Sequence, residues 1–491
     1  MVMTVGRRPR SGALSVAGIG LGVLLGASCV PIAMAQPLSR VTPVQAGSTT
    51  EQLRVHSVAD QLIGYLAKAV DWVDRADTRL PVNALVPKIK AVVLAHPEVR
   101  LVDEQRETAA QSTREAYAGF LPQVSTNLET GRRSNDAVRT PWSSVPAYQD
   151  NSKAVSITGR QLLYDFGAVS NQVDARTSLE AAVAARLGVR RSELALRALT
   201  AWLELFRGQQ ILAVSRMNVL SRQQIMAFID EREQLGASSQ SEVLRARARL
   251  ADAQVTAVVA QNRLTAAEAV YREMFNEPPP AQLALPASVG VDLARYTNLG
   301  DLLQASPLLA ESRAQTEAAG LEAKSAAAAL LPSFHLEISA RRRDLDSSGV
   351  PGLDWNAGVM VRQNLYSGGA DVARKRQADQ KAKESQLAED NVKRQLERSM
   401  AQALADVSNS AAAIGARKEA VVVAGLALGA VREQFAFRRG TLLDLLRSQE
   451  ELYLAGRDLI DGVVDHALVR YRLLHITMEL NPMFELSAAK E

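Results

Sequence analysis

The side chains best able to do chemistry are few in this 491-residue chain, and they do not gather. Its five histidines, His56, His96, His335, His466 and His475, never take the HExxH or paired spacing that holds a catalytic zinc. The one cysteine, Cys29, has no second thiol for a disulfide. Asp165-Phe166-Gly167 spells the magnesium-binding triplet of a protein kinase, but no glycine-rich loop or catalytic-loop motif accompanies it. The GIGLG stretch at 18–22 imitates a phosphate loop without the strand and helix that such a loop joins. No constellation supports an enzyme, and no cofactor or metal is expected. Three of the four net positive charges belong to Arg7, Arg8 and Arg10, which leaves a balance near +1 and argues against nucleic acid as a partner.

Those arginines open a leader. An apolar run follows them and ends in Ala33-Met34-Ala35, a small-x-small cleavage pattern, so residues 1–35 read as a secretory signal peptide. LLGASC, ending at Cys29, approaches a lipoprotein box with its leucine one place too far upstream, so cleavage after Ala35 is preferred to lipidation. After residue 35 no run approaches the roughly 18 apolar residues of a membrane helix. If this chain crosses a membrane, it must use strands.

The elements that organise the chain come twice. QLLYDFG, Gln161–Gly167, returns as QNLYSGG, Gln363–Gly369, at an offset of 202 residues. Glu242 and Asp444 share that offset, as do Val243 and Leu445. A third pair, GFLPQVSTNLETGRR and ALLPSFHLEISARRR, sets Pro122 against Pro332 at an offset of 210, so the first copy carries about eight extra residues in the loop that follows. This is an internal duplication of a unit near 200 residues.

Within each copy no proline interrupts Gly167 to Leu235 or Gly369 to Phe437, enough for a helix of roughly 100 Å. Leu196, Leu199, Leu203 and Phe206 step 3, 4, 3, as in a heptad seam. Shorter helices return over Ser241–Asn276 and Thr441–Asn481, and others lead in over Leu85–Phe120 and Asp301–Leu331, with the proline-rich 276–290 as the break between stacked helices. After each proline landmark the period changes to two. Phe334, Leu336, Ile338 and Ala340 alternate with Ser333, His335, Glu337, Ser339 and Arg341, and Val124, Thr126 and Leu128 alternate with Gln123, Ser125, Asn127 and Glu129. Strands are expected at about 121–132, 154–165, 332–343 and 355–366, with one apolar and one polar face, and His335 on the polar one. Trp142, Tyr148 and Trp355 flank them as interfacial anchors or plain loop aromatics. Four strands cannot close a membrane barrel, for which about eight is the minimum, and lipid tolerates no open edge, so several chains must share one barrel; three would give twelve strands.

The signal peptide, HPEV at 96–99, the FLP and LLP strand entries, LYDFG and LYSGG, LGASSQSEVLRARARLADAQ and GTLLDLLRSQEELYLA together resemble the TolC-like outer-membrane factors over about Leu85–Pro482. The resemblance implies a mainly α fold with a small β part: a long α-helical barrel of coiled-coil hairpins, and four strands per protomer in a 12-stranded trimeric membrane β-barrel. Its domains would be a signal peptide (1–35), an N-terminal periplasmic extension (36–84) that can wrap the middle of the helices, a first repeat (85–276), an equatorial linker (277–300), a second repeat (301–482) and a tail (483–491). Implied partners are two further copies, outer-membrane lipid, a periplasmic adaptor and an inner-membrane ABC or RND transporter. The duct would catalyse nothing and would carry secreted polypeptides or small molecules. The adaptor would dock at the hairpin tips, on Leu235, Gly236, Ala237, Ser238, Ser241 and Glu242, and on Gly440, Thr441 and Leu442 at the second tip, where Arg438 replaces the expected glycine. Asp444, Arg438, Arg439 and Arg447 would form the periplasmic gate, with Asp444 and Glu242 paired to Arg438 or Arg439 across tips, or standing as solvated helix ends. Phe435 occupies the place of a gate tyrosine. A periplasmic coiled-coil scaffold with no membrane passage is the alternative.

Overall fold

The computed structural model describes residues 62–70, 79–135, 138–145, 148–287, 290, 293–296, 300, 304–343 and 352–486. The expected leader with Cys29, His56 and most of the expected N-terminal extension lie outside them. After a helical segment at 62–70, the chain forms α1 (Val82–Ala95), α2 (Pro97–Tyr117), β1 (Gln123–Asn135), a small hairpin of β2 (Val138–Thr140) and β3 (Ser143–Val145), and β4 (Tyr148–Tyr164). It continues as α3 (Ala168–Gln234), α4 (Gln240–Phe275), α5 (Pro307–Ala328), β5 (Ser333–Arg343), β6 (Leu353–Arg362), α6 (Ala370–Ala436), α7 (Leu442–Ile476) and a final turn α8 (Leu480–Met483).

The two proline-free stretches are continuous helices of 67 residues each, about 100 Å long at the helical rise. Each is entered through a glycine at φ 87°, Gly167 and Gly369, where a side chain would be strained. Asp165 accepts the amide protons of Gly167 (3.0 Å) and Val169 (2.7 Å), so the kinase-like triplet is a helix cap. Ser367 caps α6 in the same way, accepting from Asp371 N–H at 3.2 Å.

The leading stretch expected over Leu85–Phe120 is two helices. Pro97 forces His96 into an extended conformation (φ −67°, ψ 135°), and the His96 ring caps α2 by accepting from Glu98 N–H. The other leading helix begins at Pro307, after Ser306. α7 stops at Ile476 rather than Asn481, with Met478 in a left-handed conformation (φ 59°).

Along α3, α5 and α2 pack beside one part and α4 and α7 beside others. Leu199, Leu203 and Phe206 are buried and Leu196 half-buried, but the heptad seam is too narrow a description. Ala201, Trp202, Leu203, Leu205 and Phe206 are all buried, which wraps the helix on every side. The wrapping comes from Leu62 and Leu66, from Leu85 and Ile89 of α1, from Tyr271 and Phe275 of α4, and from Leu283 and Leu285. Lys88 lies over the rings of Trp202, Phe275 and Tyr271 at 5.3, 5.6 and 5.8 Å and pairs with Glu277, a cation–π site that fastens α1 to this point. Leu80 bonds Leu285 and Ala287 through its backbone at 2.9 and 2.7 Å. The described end of the N-terminal extension is thus held against the middle of α3.

The four long strands form one antiparallel sheet, in the order β1-β4-β5-β6. β6 ends at Arg362 rather than 366 because Arg362 already faces Ser333, the first residue of β5. Register fixes the faces. Val124, Leu128, Ile157, Ile338, Val359 and Val361 share one side. Glu129, Arg160, Glu337 and Arg341 share the other, joined by Arg160–Glu337 (3.3 Å) and Arg341–Glu129 (2.7 Å). His335 lies on that polar side, as expected. β1 and β6 each have one edge without a strand partner in the sheet. Among the described residues no helix is long and apolar enough to cross a membrane, and no group of His, Cys, Asp and Glu could hold a metal.

Candidate functional site

The two helical turns, α3 to α4 and α6 to α7, are built alike. α3 ends at Gln234, Leu235 caps it, and Gly236 turns left-handed (φ 71°). Gly236 N–H then reaches Glu233 O and Ala237 N–H reaches Arg232 O, each at 2.8 Å, the paired bonds of a Schellman cap. The second turn repeats both bonds: Arg438 N–H to Phe435 O at 3.1 Å and Arg439 N–H to Gln434 O at 2.8 Å. Arg438 therefore stands where Gly236 stands and takes the left-handed conformation without being glycine (φ 58°). Gly440 serves a different need. A methyl group there would lie 3.1 Å from the Phe435 amide nitrogen, so a side chain at this position would have to push the backbone of the preceding turn aside by a few tenths of an ångström.

A β-carbon in the left-handed region costs roughly 1–2 kcal/mol. Arg438→Gly is accordingly expected to stabilise the protein by about 1 kcal/mol, and Gly236→Ala to destabilise it by about as much. Thermal melting of the two variants beside the parent checks the opposite signs.

The acidic residues close both turns. Ser239 and Glu242 form a reciprocal capping box, with Ser239 N–H to Glu242 at 3.1 Å and Glu242 N–H to Ser239 Oγ at 3.4 Å. Ser238 O–H adds a bond to Glu242 at 2.5 Å. Thr441 and Asp444 repeat the box, at 3.4 Å for Thr441 N–H to Asp444 and 3.2 Å for the return bond. The Ser238 hydroxyl first, and then the Ser239 amide, hold the Glu242 carboxyl below the usual range. Among the described residues neither Glu242 nor Asp444 is ion-paired to Arg438, Arg439 or Arg447, all three of which are exposed. Within the chain the two carboxylates act as caps, and Arg232 and Arg245 lend Glu242 a weaker favourable charge.

Leu235, Gly236, Ala237, Ser241, Thr441 and Asp444 lie exposed around the turns, with Ser238, Glu242 and Gly440 half-covered. Leu442 does not share the surface. It is 3% exposed and belongs to the core beneath the second turn.

Three features were missed in the sequence. Phe437, 69% exposed, stands at the position that Leu235, 74% exposed, holds in the first turn; the 202-residue offset marks it. Arg232 places its guanidinium over both Phe228 and Phe435 at 5.7 Å, and the two rings meet edge to face, so an aromatic–cation cluster joins the last turns of α3 and α6. Phe435 packs there as a buried ring where a tyrosine would offer a hydroxyl. Farther from the turns a polar seam ties α3 to α7: Ser215 to Tyr453 (3.1 Å), Gln449 to Ser221 (2.6 Å) and buried Arg222 to Glu450 (2.9 Å). A charge so placed holds its partner firmly, because breaking the pair leaves a guanidinium without water or carboxylate.

A sheet with opposite faces, two 67-residue helices and two matched turns describe a known kind of molecule. The chain belongs to the outer membrane efflux protein family, whose model matches residues 89–275 and 298–463. It is 24% identical over 367 residues to the outer membrane efflux protein BepC of Brucella suis, covering 74% of this chain and 78% of that one. It is 24% identical over 392 residues to the alkaline protease secretion protein AprF of Pseudomonas aeruginosa (77% and 80%), and over 392 residues to the outer membrane protein TolC of Vibrio cholerae (76% and 85%). Among solved structures, the outer membrane protein VceC of Vibrio cholerae superposes with a TM-score of 0.71 at 17% identity, covering 80% of this chain and 96% of that one. The protein is a TolC-like transport protein of the Gram-negative outer membrane, from a family that serves efflux and secretion.

Proposed function

We propose that three copies of this chain form an export duct. Each copy contributes β1, β4, β5 and β6 to a twelve-stranded barrel across the outer membrane, and its duplicated helical hairpins to a tube through the periplasm. The observation that carries this reading is the sheet, with one apolar face, one face of paired charges, and an open edge on both outer strands. In lipid both edges must find strands, and copies of the same sheet supply them with the same facing. The turns at Gly236 and Arg438 dock a periplasmic adaptor, which joins the duct to an inner-membrane ABC or RND transporter. The cargo is a secreted polypeptide or a small toxic molecule. AprF, a protease secretion protein, supports the first and BepC, an efflux protein, the second.

The closed mouth is held by links between neighbouring copies, from Arg438 or Arg439 of one to Glu242 or Asp444 of the next. Each exposed pair is worth only about 0–1 kcal/mol, which suits a latch that must open. Arg439→Ser is expected to raise the single-channel conductance of the closed duct in planar bilayers, and an unchanged conductance would remove the latch. Native mass spectrometry of detergent-extracted protein tests the assembly. A trimer supports the duct; a monomer that stays soluble without detergent would make the chain a periplasmic scaffold.

A further inference from the structure

The apolar face of the sheet changes character at the end remote from the helices. On β5 that face reads Phe334, Leu336, Ile338, Ala340 and then Arg342, which stands between Val155 of β4 and Leu353 of β6. At about 3.3 Å per residue and a tilt near 45°, the strand rises roughly 20 Å along the membrane normal from Phe334 to Arg342. The outward apolar band of a membrane barrel is about 25 Å tall. Arg342 therefore stands where that band ends. β1 and β4 place cations beside it. Lys153 lies one step beyond Val155 on the same face of β4, opposite Thr130, and Arg132 lies one step beyond Thr130 on β1. Arg132, Lys153 and Arg342 thus run diagonally across three strands, with neighbours about 7–8 Å apart. All three are exposed. Arg342 makes no ion pair or hydrogen bond among the described residues, while Arg132 and Lys153 also interact within the chain. The other end of the same face, beside the helices, holds Val124, Phe334, Leu336, Val359 and Val361 and no charged residue.

A cation in the middle of the lipid face is costly, and near the headgroups it is almost free. The row therefore belongs at headgroup level. With the helices in the periplasm, that level is the outward leaflet. This leaflet of a Gram-negative outer membrane is a glycolipid, whose disaccharide headgroup bears a phosphate at either end. A guanidinium offers five donors in a fork that matches phosphate, and an ammonium offers three, so an exposed cation with one partner in its own chain keeps donors for another. The row spans about 15 Å, too far for a single phosphate and suited to two phosphates held apart by sugars. We propose that Arg132, Lys153 and Arg342 form a binding site on the lipid-facing side of the sheet for the bis-phosphorylated sugar headgroup of one outer-leaflet glycolipid. Trp355, 75% exposed and diagonal to Arg342 on the same face, packs beside it at the same level. The inference rests on the duct reading, because it needs the apolar face in lipid.

Bis-phosphorylated lipid A is the probe, with dephosphorylated lipid A and phosphatidylglycerol beside it. The full-length protein, purified in detergent, is titrated with each, and native mass spectrometry counts the lipids retained by the assembly. Preferential retention of the bis-phosphorylated form is expected. Arg342→Gln should raise its half-saturating concentration severalfold, and the triple variant Arg132→Gln, Lys153→Gln, Arg342→Gln by at least roughly tenfold, the loss of more than one charge-assisted contact. Arg362→Gln removes the same charge from the polar face and should leave retention unchanged. Arg342→Gln alone remains informative if the triple variant fails to assemble. Equal retention of lipid A with and without its phosphates would overturn the site, and so would a triple variant that retains it like the parent. Retention of phosphatidylglycerol as firmly as lipid A would show cations that hold any phosphate, and would overturn the glycolipid assignment. Each of these results in a trimer leaves the duct standing. A monomer soluble without detergent would overturn the duct, and the site with it.

Discussion

Ile338→Arg is expected to remove this protein from the outer membrane, and Ser339→Arg, one residue along, to leave it there. Ile338 lies in the middle of β5, opposite Gly159 on one side and Ala357 on the other, on the face that carries Val124, Leu128, Val359 and Val361. An arginine on the lipid face at mid-depth costs about 2–4 kcal/mol, and an assembly of copies incurs it once per copy. Ser339 points the other way, opposite Thr158 and Asn356, on the face that already holds Arg160, Glu337 and Arg341. A further charge there meets water and counter-charge. Recovery of each variant in the outer-membrane fraction measures the difference. Equal recovery of both would mean that the sheet does not meet lipid. Equal loss of both would mean that its two faces are packed against protein, and the barrel reading would fail either way.

The two faces of the sheet are legible in the sequence alone, because alternation with period two is local and survives in a single sequence. The long helices were legible for a similar reason: 67 residues without proline leave the chain little else to do. Reading failed where distant residues decide. The heptad at Leu196–Phe206 looked like a narrow seam, yet Leu62, Ile89, Tyr271 and Leu285 arrive from four separate segments to enclose the same helix. The expected stretch Leu85–Phe120 ran through Pro97, whose ring holds His96 extended and divides it into two helices. At the turns the offset of 202 found Glu242 and Asp444, but not that each closes a capping box with Ser239 or Thr441, three residues earlier. Arg438 looked like a departure from the pattern. Its backbone shows that the Schellman bonds impose the left-handed conformation at that position whichever residue stands there. Arg232 and Phe435 could not have been paired from the sequence, since 203 residues separate them.

The double variant Leu235→Ser, Phe437→Ser is expected to abolish export while leaving the folded protein as stable as the parent. Both side chains cap a long helix, and both stay mostly exposed in the isolated chain, at 74% and 69%. An exposed apolar side chain adds little to folding, so its removal should move the melting temperature hardly at all. The same side chain buried by a partner contributes about 1.5–3 kcal/mol, or roughly ten- to a hundredfold in affinity at each turn. Each chain offers two such turns, so the losses compound as multivalent contact is lost. Each single variant should therefore weaken export measurably, with the double variant far below either. Cross-linking to the adaptor in whole cells, beside secretion of a reporter polypeptide and resistance to a panel of toxic compounds, reads the effect and identifies the cargo class together. Export at parental levels with both residues changed would shift docking to the polar caps, Ser238–Glu242 and Thr441–Asp444. Ser239→Ala and Thr441→Ala would then be the variants that lose it. The structure favours the apolar pair, because the hydroxyls and carboxylates of those caps are already engaged within the turns, and Leu235 and Phe437 are held out into solvent.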